Sequence, residues 1–496
     1  MKVLRSLTLS RLVMVVTIAA IFAMAARTPL DTDLLWHLRA GQWQVEHRAI
    51  LTVDLFSHSR YGEAWVNHSW LSQIILYAAY ALLGDLGLLL YTALLATAGM
   101  TLVYLICEGN AFVRGFVTIL AGATAAVFWS PRPQMISFFL STVVLYLLWL
   151  YRQGKDRLWL IPPLMILWAN LHGGFAIGFI LMVLTTIGEG ARWLFDGVLN
   201  RSQDQEAEQP TLRPVWRLVV VGLISAAVVG LNPYGPRMLL YPFQTVGIGV
   251  LQDFIREWAS PNFHLREMWP FIWLLLGTFL AVGFSPERLD WRDAILFSGT
   301  AYSALLAGRN IALFAVVAAP VMALHLSAWL AGQPLRLEMD APPEGVRLAL
   351  NWGLIVLGLV AVVVKVSVAL APETLDEAER ALLPVDAVAY LEEHRPPGPL
   401  FNSYNWGGYL IWAARDYPVY VDGRTDLYGD ELLRTYLKIY FAQSGWEDAL
   451  ADTGANTVLI ETGSPLAQVL ALSEGWQRAY TDEMASIYVR EGASDD

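Results

Sequence analysis

The sequence predicts a polytopic α-helical membrane protein of about 11 transmembrane helices with a C-terminal extracytoplasmic α/β domain. Three observations predict it. Hydrophobic residues fill 56% of the 496 positions and charged residues only 16%, where soluble domains carry roughly 25% charged. Apolar runs of spanning length recur through the first three quarters of the chain. Charge then divides the molecule. Residues 372–496 carry 22 acidic and 8 basic residues, net −14, and the remainder 22 and 25, net +3. The domains are therefore drawn as a membrane part over 1–371, with a first external loop at 27–70, and a soluble part over 372–496. An acidic tail excludes a nucleic-acid partner, which needs a basic footprint. A single cysteine, Cys107, rules out an intrachain disulfide.

Taken in order, the runs fall near 7–26, 86–107, 111–128, 132–151, 158–171, 174–195, 215–231, 269–284, 293–308, 310–331 and 351–371. The stretch "HSWLSQIILYAAYALLG", 68–84, is apolar but opens on polar residues and ends in glycine, and reads as an interfacial helix leading into the second run. With Lys2, Arg5 and Arg11 in the cytoplasm, the turns Arg152/Lys155/Arg157, Arg192/Arg201/Arg213/Arg217, Arg288/Arg292 and Arg336/Arg347 share that side. An odd number of spans then places the C-terminal domain outside a plasma (inner) membrane. "FAMAA" in the first run also resembles a signal-peptide cleavage site, which would alter only where the mature chain begins. The polar insert 201–214 reads as a flexible linker.

This topology collects the unusual residues at one mouth: "LDTDLLWH" and "VNHSW" in the first loop, then "SPRPQ", "NLHGG", "NPYGPR", "SPNFH" and "GRN". Each residue has a bland alternative. Asp31 reads either as an N-cap for a helix starting near Thr32 or as a functional carboxylate. Asp33 and His37 stand four apart and share one helix face, which favours function. His172, beside Asn170, Gly173 and Gly174, fits turn hydrogen bonds or a pocket wall, and His68 is similar. Arg309, between two apolar runs, reads as a snorkelling anchor or as a ligand for a lipid phosphate. A divalent cation (Mg, Mn or Zn) held by Asp31, Asp33 and His37 is the one cofactor these residue types suggest, although no HExxH-like spacing accompanies them.

In the tail, "VDAVAYLEEH", "DELLRTYLKIYF" and "PLAQVLALS" read as helices, and "GPLFNSY", "YPVYVDG", "NTVLIET" and "ASIYVR" as strands of one sheet. Asp422, Arg424 and Asp426 in "VDGRTDLYG" read first as turn chemistry and second as a contact with the membrane part or an acceptor.

A first span, an acidic pair opening the first external loop, an interfacial helix, many further spans and an external α/β domain together resemble the GT-C superfamily. These are polytopic glycosyltransferases that use polyprenyl-phosphate-linked sugars, among them oligosaccharyltransferases, protein O-mannosyltransferases and the lipid A aminoarabinose transferase. "WHLRAGQW", "HSWL", "SPRPQ" and "NWGGYLIW" with "VYVDGRTDLYG" resemble one bacterial group within it. The resemblance implies a glycosyltransferase moving a sugar from a polyprenyl-phosphate donor, drawn from the membrane lipid, to an acceptor that is protein, lipid or polysaccharide. It implies that Asp31 or Asp33 is the general base or binds the metal, with His37 orienting them. Arg309 or Arg132 would meet the donor phosphate, and His68, His172, Asn170 and Tyr234 would line the acceptor pocket. The pair is DTD rather than the DE or ED of several members, so either carboxylate is a candidate base. Two rival readings stand beside this one: a lipid-linked glycan transporter or flippase, and a non-catalytic envelope assembly protein.

Overall fold

The computed structural model describes residues 7–199, 210–255, 257–333 and 343–493. Most of the insert at 201–214, together with Lys2, Arg5 and Arg336, lies outside them. In chain order the helices of the membrane part are α1 (Leu9–Ala25), α2 (Leu34–His47), α3 (Trp70–Leu83), α4 (Asp85–Ile106), α5 (Ala111–Ala125), α6 (Gln134–Arg152), α7 (Ile161–Leu171), α8 (Ala176–Arg192), α9 (Arg213–Val229), α10 (Tyr241–Val246), α11 (Gly249–Phe254), α12 (Trp269–Phe284), α13 (Trp291–Leu306), α14 (Ile311–Ala331) and α15 (Val346–Ala369).

Each of the eleven apolar runs is a helix. Those containing α4, α5, α6, α8, α12, α14 and α15 are long and apolar enough to cross a membrane. The other four, α1, α7, α9 and α13, have 17, 11, 17 and 16 residues. At about 1.5 Å per residue, 17 residues cover roughly 25 Å of a hydrocarbon core about 30 Å thick. Helix α14 is apolar all round and sits in the middle of the bundle, whereas α15 lies on the rim against α1 and leaves most of its surface to lipid.

Among the described residues, several basic residues of the turns assigned to one side are neutralised locally. Arg152 pairs with Asp293 at 2.6 Å, Arg292 with Asp290 at 2.7 Å and Arg217 with Asp156 at 3.1 Å. The first loop packs with the C-terminal elements.

Those elements are α16 (Pro372–Leu382), α17 (Val385–His394), β1 (Leu400–Asn402), α18 (Gly407–Ala413), α19 (Thr425–Tyr440), α20 (Trp446–Asp452), β2 (Thr457–Glu461), α21 (Pro465–Leu470), β3 (Trp476–Thr481) and β4 (Ala485–Arg490). They form one four-stranded sheet in the order β1-β2-β4-β3, with β1 and β2 parallel and the other pairs antiparallel. Side chains alternate along each strand. Phe401, Val458, Ile460 and Tyr488 face α19 and α21, while Leu400, Leu459, Ala485 and Ile487 face the other way. That second face is covered by Trp36, Leu51, Phe56 and Trp65 of the first loop together with α17 and α18. The acidic domain thus completes its core with residues more than 300 positions upstream.

Two strand expectations change. "YPVYVDG" is not a strand of the sheet. Its Val419 exchanges backbone hydrogen bonds with the first loop, donating to the Phe56 carbonyl at 3.1 Å and accepting from His58 N–H at 3.0 Å. The Asn402 side chain joins it to β1 by accepting from Tyr420 N–H and donating to the Val421 carbonyl. Residues 476–481, which were not read as a strand, form the edge strand β3. Polar, exposed Gln477 and Arg478 hide its alternation, as edge strands often require.

Candidate active site

Where the first loop, the membrane helices and the C-terminal domain meet, a cleft of about 380 Å³ opens. Chain breaks built into the sequence bring its walls together. Helix α2 starts at Leu34, two residues later than expected, so Asp33 and not Asp31 occupies the helix boundary, and Asp33 makes no side-chain cap bond. The Asp31 Oδ1 instead accepts from the Asp33 backbone N–H at 2.9 Å, an Asx turn that holds Asp33 in place. Arg132 is set between Pro131 and Pro133, the second of which biases it away from helical backbone, and α6 begins directly after. His172 ends α7 with an extended backbone, φ −165°.

Arg132 is the hub of the carboxylates. It donates from Nη1 to Asp33 Oδ2 at 2.6 Å and from Nη2 to Glu257 Oε2 at 3.1 Å and Gln134 Oε1 at 2.8 Å; its Nε lies 3.4 Å from Asp31 Oδ2. The second Asp33 oxygen accepts from Trp36 Nε1 at 3.3 Å. Gly423 of the C-terminal domain closes over the same oxygen so tightly that a Cβ at this position would collide with it. Burial pushes the Asp33 carboxyl up to about 6, against the pull of Arg132. Glu257 goes the other way: burial opposes ionisation, but Arg132 and Arg309 hold it below the usual carboxylate range.

His37, one turn along α2 from Asp33, lines the cleft with His68 and His172. The His172 Nδ1 accepts from Gly174 N–H at 3.1 Å and from Ser137 Oγ at 2.7 Å, and the His68 Nδ1 accepts from Gly173 N–H at 3.2 Å. The His37 Nδ1 meets the Gln73 amide nitrogen at 3.4 Å. A backbone N–H can only donate, so the neutral His68 and His172 rings use Nδ1 as acceptor and carry their protons on Nε2. Burial is the first cause that keeps all three neutral. It brings His68 down to about 4, with Arg309 adding to the effect, and takes His37 and His172 well below their usual range. Arg309 stacks its guanidinium 4.1 Å over Trp258 and forms no salt bridge among the described residues. Beyond it the wall turns apolar at Ile177, Ile180 and Val246.

The cleft therefore contains Asp33, His37, His68, Arg132, His172 and Arg309 from the residues singled out in the sequence. Asp31 stands one layer back. Asn170 and Tyr234 do not line it. The Asn170 amide donates to the Ile166 and Leu231 carbonyls, and the Tyr234 hydroxyl accepts from Asn67 N–H at 2.9 Å, so both tie helix ends together. Glu257, Trp258, Tyr241 and Thr425 line the cleft without having been singled out. Glu257 had one available signal, a carboxylate just before "SPNFH". Asp426 of the "GRTD" turn also faces the cleft, where burial pushes it up to about 6.

A metal does not fit this donor set as it is arranged. Asp31, Asp33 and Glu257 converge on a guanidinium, and the histidine lone pairs are taken at Nδ1. Among the described residues no group of three His, Cys, Asp or Glu side chains is placed to share an ion.

No family model and no curated protein matches the sequence. Solved structures do match the fold. The archaeal oligosaccharyltransferase AglB from Archaeoglobus fulgidus, in complex with an inhibitory peptide and a dolichol-phosphate, aligns with 96% of this chain and 74% of its own at 12% identity and a TM-score of 0.55. The Archaeoglobus fulgidus oligosaccharyltransferase tethered to an acceptor peptide with the NVT sequon aligns with 90% of this chain and 68% of its own, also at 12% identity and 0.55. ArnT from Cupriavidus metallidurans bound to undecaprenyl phosphate covers 97% of this chain and 98% of its own at 12% identity and 0.50. With the helical bundle, the first-loop helices and the C-terminal domain all inside these alignments, the chain has the GT-C fold.

Proposed function

We propose that the protein is a membrane glycosyltransferase that moves a sugar from a polyprenyl-phosphate-linked donor to an acceptor on the extracytoplasmic side of the plasma membrane, with Asp33 as general base. The observation that carries this reading is Asp33 itself: a carboxylate raised to about 6, lining a cleft that also holds Arg309 and the His68 and His172 rings. In the reaction, an acceptor hydroxyl attacks the anomeric carbon and its proton passes to Asp33. The bond from that carbon to the phosphate oxygen breaks, and the lipid phosphate leaves. Arg309 and the Nε2–H groups of His172 and His68 meet the charge that develops on the phosphate. The apolar wall at Ile177, Ile180 and Val246 suits the first isoprene units. Arg132 is already engaged by three carboxylates, so in this reading it orients Asp33 and leaves the phosphate to Arg309.

The direct test compares envelope glycans by mass spectrometry in a deletion strain and in the same strain carrying the wild-type gene. A mass deficit of one sugar that the gene restores supports transfer and names the sugar class. If deletion changes no glycan under conditions of expression, the transporter and assembly readings move ahead.

A pH profile follows from the same geometry. A base acts only when ionised, so kcat/KM rises with pH through about 6 and levels off above it, falling roughly tenfold per pH unit on the acid side. The histidines titrate lower and do not contribute. Asp426 shares the value of about 6, so the decisive measurement is the profile of Asp426→Asn. The inflection persists there if Asp33 is the base; its loss would shift the role to Asp426.

A further inference from the structure

Beside the cleft, between the C-terminal domain and α11, lies a second cavity of about 170 Å³ that the proposed reaction does not use. Tyr404, Tyr436, Tyr440, Phe441 and Phe254 supply its rings, and Glu461 at the end of β2 its carboxylate. The rings form an unbroken set, with centroids 6.4 Å apart for Tyr404 and Tyr436, 5.7 Å for Tyr436 and Tyr440, 5.1 Å for Tyr440 and Phe441, and 5.9 Å for Phe441 and Phe254. The Glu461 Oε1 accepts from Ser403 Oγ at 2.5 Å. Its Oε2 is buried and faces the Tyr440 hydroxyl without a hydrogen bond of normal geometry, and no cation pairs with Glu461 among the described residues.

A buried carboxylate oxygen whose facing hydroxyl makes no well-formed bond is under-solvated, so a ligand that supplies a strong donor gains from it. The faces of aromatic rings carry negative potential and attract cations. Both features favour a positive group: a neutral sugar hydroxyl would satisfy the oxygen but leave the charge uncompensated. The net charge of −14 on residues 372–496 adds a long-range attraction of the same sign.

The cavity also adjoins the cleft. The Tyr404 ring lines the cavity, while its hydroxyl bonds to Thr425 Oγ1, a cleft residue, at 2.7 Å. The segment that brings Phe254 and Ile255 to the cavity runs on to Glu257 and Trp258 of the cleft.

We propose that this cavity is an ammonium-binding subsite that anchors a positively charged group of the acceptor beside the transfer cleft. The ammonium site stands on its own geometry; its use by an acceptor rests on the transferase reading. A lysine side chain, an amino sugar and a lipid headgroup share this chemistry, and the test separates them.

The full chain is placed in nanodiscs of phosphatidylglycerol, which avoids choline lipids, and probed by saturation-transfer NMR. The probes are choline, methyl glucosaminide and Nα-acetyl-lysine amide, with 3,3-dimethylbutan-1-ol as the uncharged isostere of choline. The expected result is transfer to at least one ammonium probe and none to the isostere. The strongest probe identifies the source. Its binding weakens by about tenfold in Glu461→Gln and in Tyr440→Leu, the scale of one desolvated cation contact. Asp33→Asn retains it. Absence of binding by every ammonium probe, equal binding of the isostere, or wild-type binding by Glu461→Gln overturns the proposal. If binding holds while no glycan depends on the gene, the site stands and the transferase reading falls.

Discussion

Replacing Asp33 by asparagine is expected to lower kcat by about 10² to 10⁴-fold, the usual contribution of a positioned general base. Folding should be nearly untouched. Asparagine keeps an oxygen for Arg132, which also retains Asp31 and Glu257 as partners, and gives up only the long 3.3 Å bond from Trp36 Nε1. The expected signature is thus a wild-type melting temperature with lost turnover, and loss of the acid-side inflection near 6. The Asp31→Asn variant gives the internal comparison. Its Oδ1 can still accept from Asp33 N–H, so the turn survives and only one of three charges facing Arg132 is removed. A much smaller loss is expected than for Asp33→Asn. Reconstituted transfer, or restoration of the missing glycan in the deletion strain at matched expression, measures both. An active Asp33→Asn enzyme would sink the assignment. Equal, severe losses in the two variants would mean that the pair acts as a unit and that no single base can be named.

The largest effect on stability is expected from Arg424→Met. The Arg424 side chain is fully buried between two equally buried carboxylates. Its Nη1 donates to Asp54 of the first loop, its Nη2 to Asp422 Oδ2 at 2.6 Å and its Nε to Asp422 Oδ1 at 2.8 Å. The guanidinium also lies 5.1 Å from the Trp65 ring and 5.2 Å from Phe56. Tyr428 hydroxyl donates to Asp422, and Ser57 hydroxyl to Asp54, so the remaining lone pairs are used. Removing only the cation leaves two buried carboxylates facing each other, which costs about 3 to 5 kcal/mol. Because Asp54 and Arg424 come from different ends of the chain, the loss falls on the docking of the C-terminal domain against the first loop. Thermal unfolding in detergent and limited proteolysis of the 372–496 region should both report it. Asp54→Asn should cost less, since Asp422 still balances the arginine. A melting temperature unchanged in Arg424→Met would mean that the cluster contributes little beyond packing.

Arg424 also marks where the sequence was legible and where it was not. "VDGRTDLYG" reads locally as turn chemistry, and part of it is a turn: Asp422 Oδ1 accepts from Arg424 N–H at 2.9 Å. Its partner Asp54, however, lies 370 positions away and carries no local mark. Glu257 behaves in the same way, an unremarkable carboxylate until Arg132 reaches it. Asp31 and Asp33 were visible as a pair, but nothing local distinguished the residue that faces the cleft from the one that props it.

The helical bundle and the small sheet at the acidic C-terminal end were determined by the sequence alone. They follow from composition and from the length and period of apolar runs, which are local properties of a chain that must bury hydrocarbon and satisfy its own backbone. The tertiary structure alone decided which groups meet: that "YPVYVDG" pairs with the first loop and not with the sheet, that Asn170 and Tyr234 tie helix ends, and that three carboxylates share Arg132. Those outcomes depend on contacts between segments hundreds of residues apart, and on desolvation, which sets the charge of Asp33 and the histidines only after the cleft has closed around them.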